Sequence, residues 1–366
     1  MKVVFRTDAS IQIGTGHVMR CLTLAEELTR HGNQCFFVCR DHSGHLGDVI
    51  SGKGFELILL PAPTDQSQVR KIGNLDDYVE WLGVLWEEDA QQTRDAISPL
   101  KPDWLIVDHY ALDAQWERAL ASAVADIMVI DDLANRPHEC TLLLDQNLGR
   151  FLSDYEGLVP DKCERLIGPQ FALLRPEFLA VREKSLLRRR NPELKRILIS
   201  LGGVDPANMT GQILGVLENT ILPTHTEVDI ILGVAAPNFE NVRQRATQLP
   251  FKATVSRNVT DMAARMCLAD LSIGAAGSTS WERCCIGLPA ITIILAENQR
   301  AIAEAISFHK AGILVDRSQV RARLKGLINR CVDDLEIVPL LSHNAAQICD
   351  GHGTNRVVTA ITGGGE

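Results

Sequence analysis

"SIQIGTGHVMRCLTLAEEL", residues 10–28, sets two glycines ahead of a histidine, and a helical pattern follows. Upstream, "KVVFRTD" (residues 2–8) has the apolar run of a buried strand. Strand, glycine loop and helix in that order make the first unit of a parallel sheet, with the loop beyond the carboxyl end of the strand. Gly14 and Gly16 let the backbone come close to a ligand, and a helix N-terminus offers free N–H groups to an anion. Two readings of His17 stay open. In one it is a general base, held neutral by the positive helix end. In the other it merely starts a helix behind a structural glycine turn. Arg20, one turn on, shares that face and can reach a phosphate or brace the loop.

The strand–helix order continues outward. "QCFFVCR" (34–40), "FELILL" (55–60), "DWLIVDH" (103–109), "DIMVIDD" (126–132) and "TLLLDQN" (141–147) are strand runs between helical patterns. From residue 150 to 192 the periodicity weakens, with Pro160, Pro169, Pro176 and Pro192 in the interval. The order then restarts with "RILISLGG" (196–203), "EVDIILG" (227–233), "KATV" (252–255), "LSIGAAG" (271–277), "AITIIL" (290–295) and "GILVD" (312–316). The pattern predicts an α/β chain of two doubly wound domains, 1–170 and 171–366, facing across a cleft.

Composition bounds the function classes. The 366 residues suit about two domains, and 46% hydrophobic with 23% charged residues is ordinary for a globular chain. A net charge of −9 without a broad basic stripe argues against a nucleic-acid partner. The one basic run, Arg188-Arg189-Arg190, reads as a solvated face at the domain junction. No apolar run reaches the roughly 18 residues of a membrane span, and the N-terminus enters a strand with no signal-peptide pattern. Ten cysteines without CxxC spacing read as free, buried thiols, so a cytoplasmic protein is expected.

Other candidate sites follow strands. In "LSIGAAGSTSWERCCIGLPAITIIL" (271–295), small residues around Gly277 lead to a helix that Ser278 or Thr279 can cap. Glu282, one turn inside, suits ribose hydroxyls, or it is a surface glutamate on a packing helix. In "SLGGVDPANMTG" (200–211), Gly202 and Gly203 admit a phosphate or sugar, or simply end a strand, and Asp205-Pro206 is turn chemistry. Asp108, His109, Tyr110, Asp131 and Asp132 close strands and can meet sugar hydroxyls or serve as turn residues. Tyr78, in "DDYVEWLGVLWEEDA" (76–90), reads as a core-edge tyrosine. There is no metal-ligand spacing, no GxxxxGK[ST] loop and no GxSxG elbow.

Taken together, "FRTDASIQIGTGHVMRCLTLAEEL", "VDHY", "VIDDLANRPHECTLLLDQN", "FALLRPEF", "LISLGGVDPAN", "AGSTSWERCCIGLPAI" and "ENQ" resemble one family in motif and order. It is the UDP-2,4-diacetamido-2,4,6-trideoxy-β-L-altropyranose hydrolase of pseudaminic acid biosynthesis, a pathway of flagellin glycosylation. Residues 223–249 carry none of its motifs.

The resemblance implies two Rossmann-like domains of the glycosyltransferase-B type, similar to the N-acetylglucosaminyltransferase of peptidoglycan synthesis. It implies that the C-terminal half binds UDP and the N-terminal half supplies catalytic groups, with water inverting the anomeric carbon. His17 matches the family's base, and Tyr78 and Asn298 its active-site polar residues. Gly14, Gly16, Arg20, Tyr110, Arg175, Gly203, Gly277, Ser278, Glu282 and Gln299 are carried as further substrate contacts, with Arg20 or Arg175 offsetting the diphosphate charge. No cofactor and no metal are implied, and a monomer that meets only its UDP-sugar and UDP is expected. The competing readings are a transferase with an acceptor other than water, an epimerase that hydrolyses its product, and a silent nucleotide-sugar sensor.

Overall fold

Apolar runs become strands and amphipathic stretches become helices laid over them. The computed structural model describes residues 1–63, 78–190, 193–223, 225–234 and 236–363. Pro192, the last proline of the interval where the periodicity weakens, lies outside the described residues. The chain divides into two units, Met1–Leu173 with Gly353–Glu366, and Leu174–His352.

In the first unit the strands are β1 (Lys2–Thr7), β2 (Gln34–Arg40), β3 (Glu56–Leu60), β4 (Trp104–Asp108), β5 (Asp126–Ile130), β6 (Leu142–Asp145) and β7 (Glu164–Ile167). All pair in parallel, in the order β3-β2-β1-β4-β5-β6-β7. The winding reverses between β1 and β4, so the loops leaving those strands diverge and open a crevice at their carboxyl ends. The register sets Thr7 opposite Asp108, which brings the end of β4 level with the start of the glycine loop.

The helices here are α1 (Gly16–Arg30), α2 (Gly47–Gly52), α3 (Val79–Leu82), α4 (Trp86–Ile97) and α5 (Ala114–Leu120). Strand β1 is buried on both faces, as a central parallel strand must be. Val3 and Phe5 meet Val18, Leu22, Ala25 and Leu28 of α1 on one side, while Val4 packs with Val107 and Trp116 on the other. Each such leucine contributes about 1.5–3 kcal/mol by leaving water. Helix α1 stops where Gly32 turns to φ 80°, with Gly32 N–H bonded to the Thr29 carbonyl and Asn33 N–H to that of Leu28.

The second unit repeats the plan. Its strands are β8 (Arg196–Ser200), β9 (Glu227–Leu232), β10 (Lys252–Arg257), β11 (Leu271–Ala275), β12 (Ala290–Ile294) and β13 (Ile313–Asp316), parallel in the order β10-β9-β8-β11-β12-β13. Its helices are α6 (Pro176–Arg188), α7 (Met209–Leu217), α8 (Phe239–Ala246), α9 (Met262–Leu268), α10 (Thr279–Cys285), α11 (Arg300–Phe308), α12 (Val320–Asp333) and α13 (Ile337–Ile348). The winding reverses between β8 and β11, so the Gly202-Gly203 and Ala276-Gly277 loops leave the two strands at that point.

Two expectations are corrected. The second domain was expected to run to residue 366, but the last helix, α14 (Gly353–Thr362), belongs to the first unit. Val357, Val358 and Ile361 enter the core that α1 covers, and a Cβ on Gly353 would lie 2.4 Å from the Ala172 carbonyl oxygen. An apolar stripe identifies a helix but not the sheet that it covers. The Arg188–Arg190 run is exposed at Arg190 and half-buried at Arg188. Arg189 is buried and donates to the carbonyls of Ser185, Met266 and Ala269, closing the carbonyl end of α9, and Arg188 pairs with Asp270. All ten cysteines are free and buried.

Candidate functional site

In the first unit the site grows from the turn after β1. Ser10 Oγ accepts from the N–H groups of Gln12 and Ile13, and Gly14 N–H bonds back to the Ser10 carbonyl. Gly14 sits at φ 83°, a conformation that suits glycine. Gly16 has no such strain and faces open space, with nothing within 4 Å of where a Cβ would stand. Thr15 precedes α1 without a side-chain cap, so the first N–H groups of the helix are not occupied by its hydroxyl.

His17, at the start of α1, points its Nδ1 at Asp108 Oδ1, 2.6 Å away at the end of β4. Arg20 grips the same carboxylate at two points, Nε to Oδ2 at 2.6 Å and Nη2 to Oδ1 at 2.7 Å. Its remaining nitrogen, Nη1, lies 2.7 Å from Asp132 Oδ2, which also accepts the Tyr110 hydroxyl at 2.6 Å. Burial by itself would raise the Asp108 carboxyl. The charges of Arg20 and His17 and their hydrogen bonds outweigh it and hold the group well below the usual carboxylate range. Burial, then Asp132, pushes the Tyr110 phenol well above its ordinary value.

An anionic Asp108 accepts the Nδ1 proton, which leaves the Nε2 lone pair of the imidazole available. This arrangement orients the imidazole more directly than a helix end can. Asp108, seen from the sequence only as a strand-end aspartate, is the partner. Of the two readings of Arg20, bracing is the one its contacts satisfy: Asp108 and Asp132 occupy all three guanidinium nitrogens.

Aromatic rings surround the imidazole. The Tyr110 centroid is 4.6 Å from that of His17, edge to face, and Trp81 stacks on Tyr110 at 5.6 Å. Tyr78 meets Trp81 at 4.7 Å and Tyr110 at 5.0 Å. Tyr78 therefore belongs to this cluster rather than to the core edge. Trp81 carried no site reading from the sequence; its spacing of three from Tyr78 was the available signal that the two rings share a side. His109 is buried beside Asp8 instead of entering the cluster, and burial lowers it to about 3. Asp131 is occupied by Arg136 and Tyr155.

In the second unit Arg175 reaches Glu282 Oε1 at 3.2 Å and Glu177 at 2.9 Å. Burial raises the Glu282 carboxyl, with the Arg175 charge opposing. Ser278 precedes α10 but makes no side-chain cap, and Gly277 faces open space. The loop is propped from below by Arg283, which donates to the Ala275 carbonyl and to Ser280 Oγ. A Cβ on Gly274 would meet that guanidinium at 2.3 Å. Sequence reasoning missed Arg283 because a lone arginine inside a helix carries no motif.

Gly203 packs its carbonyl where a Cβ on Gly233 would lie 1.9 Å away, so the close approach there is between two backbones. Asn298 is exposed on the short turn Glu297–Gln299, and Gln299 Oε1 accepts from Leu295 N–H. The structure thus groups Gly14, Gly16, His17, Arg20, Tyr78 and Tyr110 in one unit. It pairs Arg175 with Glu282 in the other. Among the described residues no helix is long and apolar enough to cross a membrane.

Comparison with known proteins agrees with this architecture. Residues 207–345 match the glycosyltransferase family 28 C-terminal domain. The chain is 29% identical over 246 residues to the UDP-2,4-diacetamido-2,4,6-trideoxy-β-L-altropyranose hydrolase of Campylobacter jejuni, covering 67% of this chain and 74% of that one. It is 30% identical over 146 residues to the spore coat polysaccharide biosynthesis protein SpsG of Bacillus subtilis, 40% of this chain and 42% of that one. MurG of Acinetobacter baumannii superposes with a TM-score of 0.71 over 99% of both chains, at 15% identity. The fold is therefore the glycosyltransferase-B type that the resemblance implied, and the chain is similar to the altropyranose hydrolase, with residues 207–345 of its second unit matching the family 28 C-terminal domain.

Proposed function

We propose that the chain is a UDP-sugar hydrolase acting on UDP-2,4-diacetamido-2,4,6-trideoxy-β-L-altropyranose, releasing UDP and the free sugar for pseudaminic acid synthesis. The observation that carries this reading is the His17–Asp108–Arg20 arrangement. Water attacks the anomeric carbon as His17 Nε2 takes its proton, forming the new C–O bond. The C1–O bond to the diphosphate breaks, its electron pair leaves with UDP, and configuration at C1 inverts. Asp108 stabilises the imidazolium that forms, and Arg20 keeps Asp108 ionised and in place.

The second unit is assigned to UDP. N–H groups near Gly277 and Ser278 would stabilise the leaving diphosphate, and Glu282 would accept from ribose hydroxyls. Arg175, already paired with two carboxylates, acts in this reading by orienting Glu282. Diphosphate charge is offset by backbone groups, and the reaction is metal-independent. A cytoplasmic monomer is part of the same proposal.

A second reading draws on the family 28 segment: transfer of the sugar to an acceptor hydroxyl instead of water. Incubation with the UDP-sugar alone, followed by NMR, separates the two. One free sugar per UDP, with inverted anomeric configuration in the first turnovers, supports hydrolysis. UDP release only on adding an acceptor would replace it with transfer.

A further inference from the structure

We propose that Trp81 sets the choice of sugar, by packing its indole against the apolar face of a deoxy sugar that carries N-acetyl groups. The inference rests on the proposed UDP-sugar hydrolysis and names the sugar chemistry that the His17 site accepts.

The geometry begins with a single helical turn. Leu82 and Val84 are buried in the core, and Gly83 closes the turn at φ 75°, where a Cβ would lie 2.5 Å from Pro63. With the turn anchored, Tyr78 and Trp81, three residues apart, fall on the same side. Trp81 lies over Tyr110 with 23° between ring planes, and the Tyr78 ring stands edge-on to both. Tyr110 is held in turn: its hydroxyl donates to Asp132, which Arg20 also binds. The result is a fixed aromatic wall bordered by the His17 imidazole, whose centroid lies 6.2 Å from that of Trp81. Tyr110 is buried whereas Trp81 is only half-buried, so the indole is the ring a ligand can reach.

Such a wall discriminates by desolvation. An aromatic face stabilises methyl and C–H groups, and a hydroxyl pressed on it loses water without gaining a partner. A 2,4-diacetamido-2,4,6-trideoxy hexose presents methyl groups on both acetamido substituents and at C6. N-acetylglucosamine presents one acetyl methyl and carries a hydroxyl at C6. The wall therefore favours the first.

The test measures kcat/KM of the full chain and of W81A and W81F on the UDP-linked diacetamido-trideoxy hexose and on UDP-N-acetylglucosamine. In W81A the preference for the deoxy sugar should narrow about 10–100-fold, chiefly through KM, the range expected for lost apolar contacts. W81F should restore most of it, and inhibition by UDP should not change. An equal loss on both sugars, or no loss on either, overturns the proposal. If the unaltered chain hydrolyses neither sugar, the hydrolase reading has failed, and the wall is tested by saturation-transfer NMR on the intact UDP-sugar. Saturation of the sugar methyls that is lost in W81A supports the proposal; saturation that persists unchanged in W81A, or never reaches the methyls, overturns it.

Discussion

Asp108 Oδ1 lies 2.6 Å from His17 Nδ1, although 91 positions separate the two residues in the chain. The parallel pairing of β1 with β4 brings them together, and the Arg20 fork keeps the carboxylate charged. If this pair forms the base, His17→Asn should lower turnover by about 10²–10⁴, the usual worth of a general base. Asp108→Asn, which offers an uncharged partner, should cost a similar factor while leaving UDP affinity unchanged. Near-full turnover in either variant would remove the pair from the chemistry.

The two glycines of the turn should behave differently. Gly14→Ala forces a left-handed conformation on an L-residue and should cost about 1–2 kcal/mol of stability. Gly16→Ala meets open space at a helix start, so unfolding in urea should change by less than about 0.5 kcal/mol. If the backbone there faces the sugar diphosphate, the added methyl should still raise KM. An unchanged KM with unchanged stability would mark Gly16 as a spectator.

Glu282→Ala should weaken UDP binding by about 1–3 kcal/mol, the scale of a hydrogen bond to a charged group. Calorimetric titration with UDP reads this directly. Arg175→Met should weaken it less if Arg175 acts, as proposed, through its contact with the Glu282 carboxylate. Full UDP affinity in Glu282→Ala would take the residue out of the nucleotide site.

Dialysis against EDTA should leave the hydrolysis rate unchanged. Loss of activity restored by magnesium or manganese would overturn the metal-independent reading and direct attention to Asp108, Asp131 and Asp132.

His109 gives the protein an acid sensitivity of defined sign. Burial lowers its folded value to about 3, below the ordinary 6.5. Between those values the unfolded chain binds the extra proton, so stability is present above pH 6.5 and lost as pH falls toward 3. The slope is at most about 1.4 kcal/mol per pH unit. The lowered Asp108 acts only below about pH 4, where unfolded aspartate protonates. Burial raises Asp145 to about 7, which acts in the opposite sense over this range, so the difference between variants is what reads His109. Between pH 7 and pH 5 the parent's urea midpoint should drop relative to that of His109→Asn, whose amide oxygen can still accept from Ala111 N–H. Parallel curves would contradict this origin of the acid sensitivity.

Much of the architecture was legible locally. A central parallel strand must be apolar on both faces, so "KVVFRTD" and its counterparts declared themselves, and glycine loops marked where helices start. His17 was legible as the residue that starts a helix behind the glycine loop, while its role stayed open between a base and a structural start. The partners were not. Asp108 looked like any strand-end aspartate until the β1–β4 register set it beside α1, and Arg20 was open between a phosphate and a brace until its two carboxylates were in place. Arg189, read as solvated, proved to be a buried cap because nothing local shows which carbonyls fold over a side chain.

The sequence by itself determined most of the strands, their alternation with helices, the parallel sheets and the residue types at the strand ends, because periodicity and backbone preference act over a few residues. It did not show β7 or α6, which lie where the periodicity weakens. Only the tertiary structure decided that α14 returns to the first sheet, that Asp108 holds His17, and that Trp81 stacks on Tyr110. Those outcomes depend on strand order and on which apolar faces meet. Burial and charge pairing settle them between residues far apart in the chain, and no local pattern encodes them.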